Sequence, residues 1–252
     1  MGKKEVNYYT SSSKWKNELI DQVNPIDVKY SRDRLPDAEE LDYYVKCFDD
    51  DESLSESALK CVFTNKPSNI EDNEYIYIKV SLLNDIYSTH LSNNDKKTIV
   101  NIIMGFQSSI ESKVYDPNLV FEICQVCKGN NIGETYSFVS KYCSHHNEDL
   151  YPIYDRYVVT MLLWYRELAK EESNVVFDFK DECVAKNSGK YNCYRNVLNQ
   201  FRQQFGLESY TYKEIDKFLW KAGKNYFPAY IDEKIVNRYK HSIQTNLEIN
   251  DY

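Results

Sequence analysis

The chain has 252 residues, 42% of them apolar, and a net charge of −8. It is long enough to bury one large core or two small ones, while its 7 glycines and 6 prolines argue against a hairpin-rich β architecture. The acidic balance argues against a protein that coats nucleic acid without sequence preference, because that requires clustered Lys and Arg.

In chain order, residues 1–30 form a polar lead in which Ser11, Ser12 and Ser13 offer a flexible segment or a helix cap. Leu35, Pro36 and Asp37, followed by Glu39 and Glu40, predict a helix start with its acids where the dipole favours them. Much of the chain's acid lies in 37–52, which reads as a solvated face. Residues 53–64 carry Leu54, Ala58, Leu59, Val62 and Phe63 at helical spacing. Residues 74–90 alternate like a strand at Tyr75-Ile76-Tyr77-Ile78, but Leu82, Leu83 and Ile86 continue the pattern as a helix. Ser92 to Asp95 then cap a helix over 96–112 with an Ile99, Ile102, Ile103 and Phe106 stripe.

Asp116-Pro117 starts another helix through Cys127, and Lys128-Gly129-Asn130 ends it. A turn, Asn130-Asn131-Ile132-Gly133, leads into a short apolar-faced run, a polar loop holding His145 and His146, and then Tyr151-Pro152-Ile153-Tyr154-Asp155. Residues 156–170 are apolar over much of the helix circumference, so this helix is central. Residues 174–178 (NVVFD) read as a short strand. Amphipathic helices over 190–205 and 212–224 precede Pro228 and a polar tail. The fold expected is all-α, nine or ten helices, with 31–252 as a single helical domain or two lobes meeting near 128–156.

From Lys186 onward there are 11 Lys and Arg against 7 Asp and Glu, a local +4 that leaves −12 for the preceding residues. The acidic N-terminal half is thus a candidate face for a basic protein partner. No apolar run approaches the roughly 18 residues a membrane span needs. Seven cysteines without an apolar leader point to reduced thiols and a cytoplasmic protein. Cys124 and Cys127, with Cys143, His145 and His146, offer zinc-type donors, but the first pair sits at helical spacing inside an apolar run and reads as core. No metal and no cofactor are expected.

The segment GETYSFVSKYCSHHNEDLYPIYD, from Gly133 to Asp155, resembles the helix–hairpin–helix DNA glycosylase superfamily. The resemblance implies a glycosylase-like orthogonal bundle of helices with a helix–hairpin–helix near 118–145, and DNA as partner. In it the bend grips phosphate through amides of Ile132, Gly133, Glu134 and Thr135, as the physics of a Gly turn ahead of a helix N-terminus allows. Asp155 at a helix start would stabilise positive charge on a sugar or activate a water during hydrolysis of an N-glycosidic bond. Ser137 stands near the position of the lysine nucleophile of the bifunctional members, and its presence implies hydrolysis without lyase activity. Lys141, one turn later, tilts back over Ser137 and either contacts phosphate or serves as a displaced nucleophile. Arg156 would line the pocket or the backbone track. The run YKEIDKFLWKAGK at 212–224 looks like that of bacterial proteins with an oxoguanine-glycosylase-like fold. The iron–sulfur loop of some members is ruled out, because Cys183 and Cys193 are the only late cysteines. The other reading is a non-catalytic relative that keeps the scaffold to bind nucleic acid or protein.

Overall fold

The computed structural model describes residues 29–132, 135–172, 175–185 and 191–227. Most of the polar lead, with Ser11 to Ser13, and the tail from Pro228 lie outside them. The described residues form eight α-helices, which we number α1 Ala38–Thr64, α2 Asp72–Ile86, α3 Asn93–Ile110, α4 Leu119–Gly129, α5 Tyr136–His146, α6 Arg156–Ala169, α7 Tyr191–Gln204 and α8 Tyr212–Tyr226. A 3-10 turn, Asp181–Cys183, precedes α7. The described residues hold no strand.

Two expectations are corrected by long-range contacts. The acidic run and the 53–64 helix are one continuous α1, capped by Asp37, which accepts from the Glu40 amide at 2.9 Å. Four successive acids at 49–52 do not break this helix, because α8 supplies cations against its acidic face. Lys217 pairs with Asp49 at 2.6 Å, Lys221 with Asp51, and Lys213 with Glu56 at 2.9 Å. The acidic face thus has basic partners within the chain. Among the described residues, the strand-like segment has no neighbouring strand. Its residues 175–178 are irregular, with Phe177 packed on Phe201 and Phe205 instead. Among the described residues, no helix is long and apolar enough to cross a membrane.

Helices α2 to α5 pack on one another, α6 packs on α8, and α1 lies along α8 while also touching α2 and α5. One cluster of buried side chains runs through all eight helices. Trp164 is fully buried within it and donates its indole N–H to the Arg32 carbonyl at 2.6 Å. Two of the 23 tyrosines answer one local problem. Residues Tyr151 to Tyr154 are buried yet non-helical, so their carbonyls need donors. Tyr191 donates to the Pro152 carbonyl and Tyr194 to the Ile153 carbonyl, each at 2.6 Å.

Cys124 and Cys127 are buried on α4, and burial pushes the Cys124 thiol up to about 12, so the core reading of this pair holds. Among the described residues, no group of three or more His, Cys, Asp and Glu is arranged to hold a metal ion. Cys183 and Cys193 form a disulfide, which corrects the expectation of reduced thiols for that pair.

Glu40 gives a first testable consequence. It is 1% exposed, accepts from Tyr226 at 2.5 Å through one oxygen, and leaves the other without a partner. Burial raises its carboxyl from the ordinary 4.5 to about 7. The folded chain therefore holds the proton more tightly than the unfolded chain. That stabilisation is fully present below 4.5 and is lost as pH rises through 7. Glu40→Gln keeps the shape of the neutral acid without this dependence. Between pH 5 and pH 8 the wild type should lose about 2 kcal/mol relative to the variant, read from urea midpoints at both pH values.

Candidate functional site

The strongest concentration of polar chemistry lies where α5 meets the start of α6. On α5, Ser137, Lys141 and His145 recur every four residues and so share one face. Asp155 is the N-cap of α6, with Oδ1 accepting from the Tyr157 amide at 2.9 Å. Lys141 bridges these elements. Its Nζ donates to Ser137 Oγ at 2.6 Å, to Asp155 Oδ2 at 3.3 Å and to the Tyr154 carbonyl at 3.5 Å. The lysine is 3% exposed and the aspartate side chain 17%, so the ammonium is buried while the carboxylate reaches solvent. Ser140 adds to the junction by accepting from the Tyr154 amide at 3.0 Å.

Three further elements close over this pair. Tyr87, at the end of α2, places its ring 5.1 Å from the Lys141 ammonium and shares a 3.0 Å hydrogen bond with His145 Nε2. Burial lowers His145 to about 3, and the nearby Lys213 charge acts the same way, so the ring is neutral at physiological pH. Glu56 of α1 is paired with Lys213 of α8. Asp216, one turn after Lys213, has Oδ1 shielded from solvent and without a hydrogen-bond partner. Burial raises its carboxyl to about 7 against the opposing effect of Lys213, and Asp155 and Glu56 push it in the same direction as burial. Two carboxyl groups of different character thus face a common region. Asp155 is held as an acceptor by an amide and an ammonium, whereas Asp216 binds a proton near neutral pH.

The bend before α5 is arranged differently from the expectation. Ile132 is buried, and its amide donates to the Cys127 carbonyl at 3.1 Å, so it has no N–H to offer a phosphate. The Asn130 and Asn131 amides also close the end of α4. Thr135 is buried at the start of α5. Gly133 and Glu134 lie outside the described residues. Arg156 is exposed, with its guanidinium 5.1 Å from the Tyr157 ring.

Lys141, Ser137 and Asp155 are therefore in mutual contact, whereas Ile132 and Thr135 are packed into the core. Sequence reading missed Tyr87, Glu56, Lys213 and Asp216, which approach from sites distant along the chain. It also placed His145 and His146 in a loop, but both belong to the last turn of α5 and pack on Phe63. The four-residue spacing from Ser137 to His145 was the available signal.

A family model described as HI_0787_N, N-terminal domain, matches residues 40–150. Those residues take in nearly all of α1 and the whole of α2 to α5, and the match ends in the loop between Lys141 and Asp155. The site thus joins side chains from within the matched region to Asp155, Lys213 and Asp216 beyond it. No solved structure gives a significant match. An uncharacterized protein of Haemophilus influenzae (strain ATCC 51907 / DSM 11121 / KW20 / Rd) is 35% identical over 156 residues, 62% of this chain and 69% of that protein. At that identity and coverage, the chain belongs to the same family as this Haemophilus influenzae protein.

Proposed function

We propose that the protein is a helix–hairpin–helix glycosylase-like DNA-binding enzyme that hydrolyses an N-glycosidic bond of an extruded nucleotide. In this reading α4, the 130–135 bend and α5 are the hairpin of a glycosylase-like orthogonal bundle. The observation that carries it is the 3.3 Å contact between Lys141, on the helix after the bend, and Asp155, at the start of the next helix. The Tyr157 amide of the α6 N-terminus and the buried Lys141 side chain fix the Asp155 carboxyl group where a sugar would develop positive charge as its base departs. A fixed carboxylate stabilises that charge without reorganising at the moment of reaction. Lys141 orients Asp155, and Ser137 completes the lysine's hydrogen bonding. Asp216 supplies a carboxyl able to donate a proton toward the departing base.

The surface charge bears on how DNA is held. The net charge is −8, and Lys213, Lys217 and Lys221 are committed to α1 acids rather than free to meet phosphates. Affinity should then be modest, with a logarithmic salt slope no steeper than about −4. The test is a panel of duplexes carrying damaged or mismatched bases, incubated with the purified chain and cleaved with alkali. Excision of one base from at least one duplex is expected, together with DNA binding that weakens with salt. Binding without excision would favour the non-catalytic relative, and absence of both would leave a protein-binding scaffold. Borohydride should trap no covalent adduct, because the Lys141 ammonium is engaged by Asp155; an adduct lost in Lys141→Ala would make it a nucleophile.

A further inference from the structure

A second polar site lies apart from the Lys141–Asp155 pair. A cavity of about 290 Å³ opens between the end of α1, α2, α3 and the last turn of α5. Phe63 separates the two environments. It packs on His145, which faces Tyr87, and on His146, which lines the cavity.

Lys79 of α2 lies against this cavity and is only 3% exposed. Its Nζ is 4.5 Å from the Tyr75 ring centroid, 5.1 Å from that of Phe63 and 3.4 Å from His146 Nε2. Among the described residues, no carboxylate stands within ion-pairing distance of it. The two acids of the lining are engaged elsewhere, Asp72 by Lys66 and Glu111 by the Gln107 amide. Ring faces attract an ammonium but do not neutralise it; the Glu111 charge favours the ammonium from beyond ion-pairing distance, and a buried cation without a counter-charge in contact is costly. Burial lowers Lys79 to about 8 and His146 to about 3, so the lysine remains mostly charged and the imidazole neutral at physiological pH.

Gln107 supplies the second unmet demand. Its amide nitrogen donates to Glu111, which fixes the orientation of the amide group, since a flipped amide would set two acceptors together. The Oε1 atom is then shielded from solvent and has no hydrogen-bond partner. A buried acceptor in that state calls for a donor. The walls contributed by Phe63 and Tyr75 favour a flat apolar body between the two polar ends.

From these three features we infer that the cavity is a binding site for a small monocarboxylate that also carries a hydroxyl or amino donor. The carboxylate meets Lys79, the body packs against Phe63 and Tyr75, and the donor meets Gln107 Oε1 once the Gln107 side chain turns that shielded atom toward the cavity. This pairing follows from the side chains of the cavity and does not rest on any activity at Asp155.

The full chain would be titrated with 4-hydroxybenzoate, with benzoate, which lacks the donor, and with 4-hydroxybenzamide, which lacks the charge. Calorimetry gives affinities, and saturation-transfer NMR shows which ligand protons lie against the protein. 4-Hydroxybenzoate should bind, and each comparator should bind about tenfold more weakly, the loss expected for one missing buried polar contact. Lys79→Met should abolish the preference for the acid over the amide. Should that variant not fold, Gln107→Leu carries the same test by abolishing the preference for 4-hydroxybenzoate over benzoate. Equal affinity for the three compounds, unchanged preferences in the variants, or no saturable binding of 4-hydroxybenzoate or the smaller glycolate at millimolar concentration would each overturn the assignment.

Discussion

Asp155→Asn is expected to lower single-turnover base excision by at least about 10²-fold, the scale seen when one preorganised electrostatic contact to a transition state is removed. The substitution preserves most of what Asp155 does structurally. Asparagine caps a helix as well as aspartate, so its side-chain oxygen still accepts from the Tyr157 amide, and α6 still starts at Arg156. What disappears is the negative charge beside Lys141. Because that lysine is only 3% exposed, its ammonium is left facing a neutral amide. Leaving a buried charge without its partner should cost about 2–3 kcal/mol, slightly less than the full penalty because Asp155 itself reaches solvent.

The two effects separate in one experiment. Excision is followed under conditions where urea titration shows the variant fully folded, so a lost rate cannot be a lost fold. A structural role alone predicts the fall in stability with no change in rate among folded molecules, and that result would remove Asp155 from the chemistry. The partner variant Lys141→Met sharpens the distinction. It removes the cation and keeps an apolar side chain of similar length, so Asp155 remains available to the sugar. Excision should fall less than in Asp155→Asn if the carboxylate carries the reaction and the lysine only positions it.

Sequence reading succeeded where a signal is local and failed where the partner is distant. Ser92 and Asp95 lie three residues apart and form a reciprocal capping box, so the cap of α3 was legible, although the helix begins at Asn93 and takes in residues read as the cap. Asp155 was legible as a helix cap for the same reason. Lys141 was legible over Ser137, one helical turn away, and that contact forms, whereas its contact with Asp155 lies 14 residues off across a loop and was not anticipated. The continuity of α1 was not legible, because the cations opposite its acids come from a helix more than 150 residues later. Asp216 was invisible as a candidate, since nothing nearby in sequence marks a carboxyl whose burial depends on α8 settling against α1 and α6. The Ile132 amide was misread because the closing bonds of α4 compete for the same N–H that a phosphate would need.

The crossing of α6 and α8 holds Asp155, Lys213 and Asp216 in one region, and a single glycine permits it. A Cβ at Gly223 would stand 3.0 Å from Tyr157 Cβ, 3.2 Å from Met161 Cγ and 3.2 Å from the Tyr157 carbonyl oxygen. Two of those three atoms cannot swing away without moving the α6 backbone. Gly223→Ala gains about 1 kcal/mol of helix propensity and meets these contacts, so its net effect should be small or mildly destabilising. Gly223→Leu has no such balance. Its branched side chain must push α8 away from the first turn of α6, and overpacking of this kind should cost about 3 kcal/mol or more. For a chain of this size that corresponds to a fall in Tm of roughly 6–12 °C. The displacement would also draw Lys217 and Lys221 from Asp49 and Asp51, exposing the acid run of α1 to its own repulsion. Folded Gly223→Leu should therefore lose excision as well as stability, although residue 223 is about two helical turns from Asp216 and nearly three from Lys213 along α8. Calorimetry on the three proteins orders them as glycine, alanine, leucine from most to least stable. A leucine variant that melts with the wild type would mean that α6 and α8 do not approach this closely, and the grouping of Asp216 with Asp155 would fall with it.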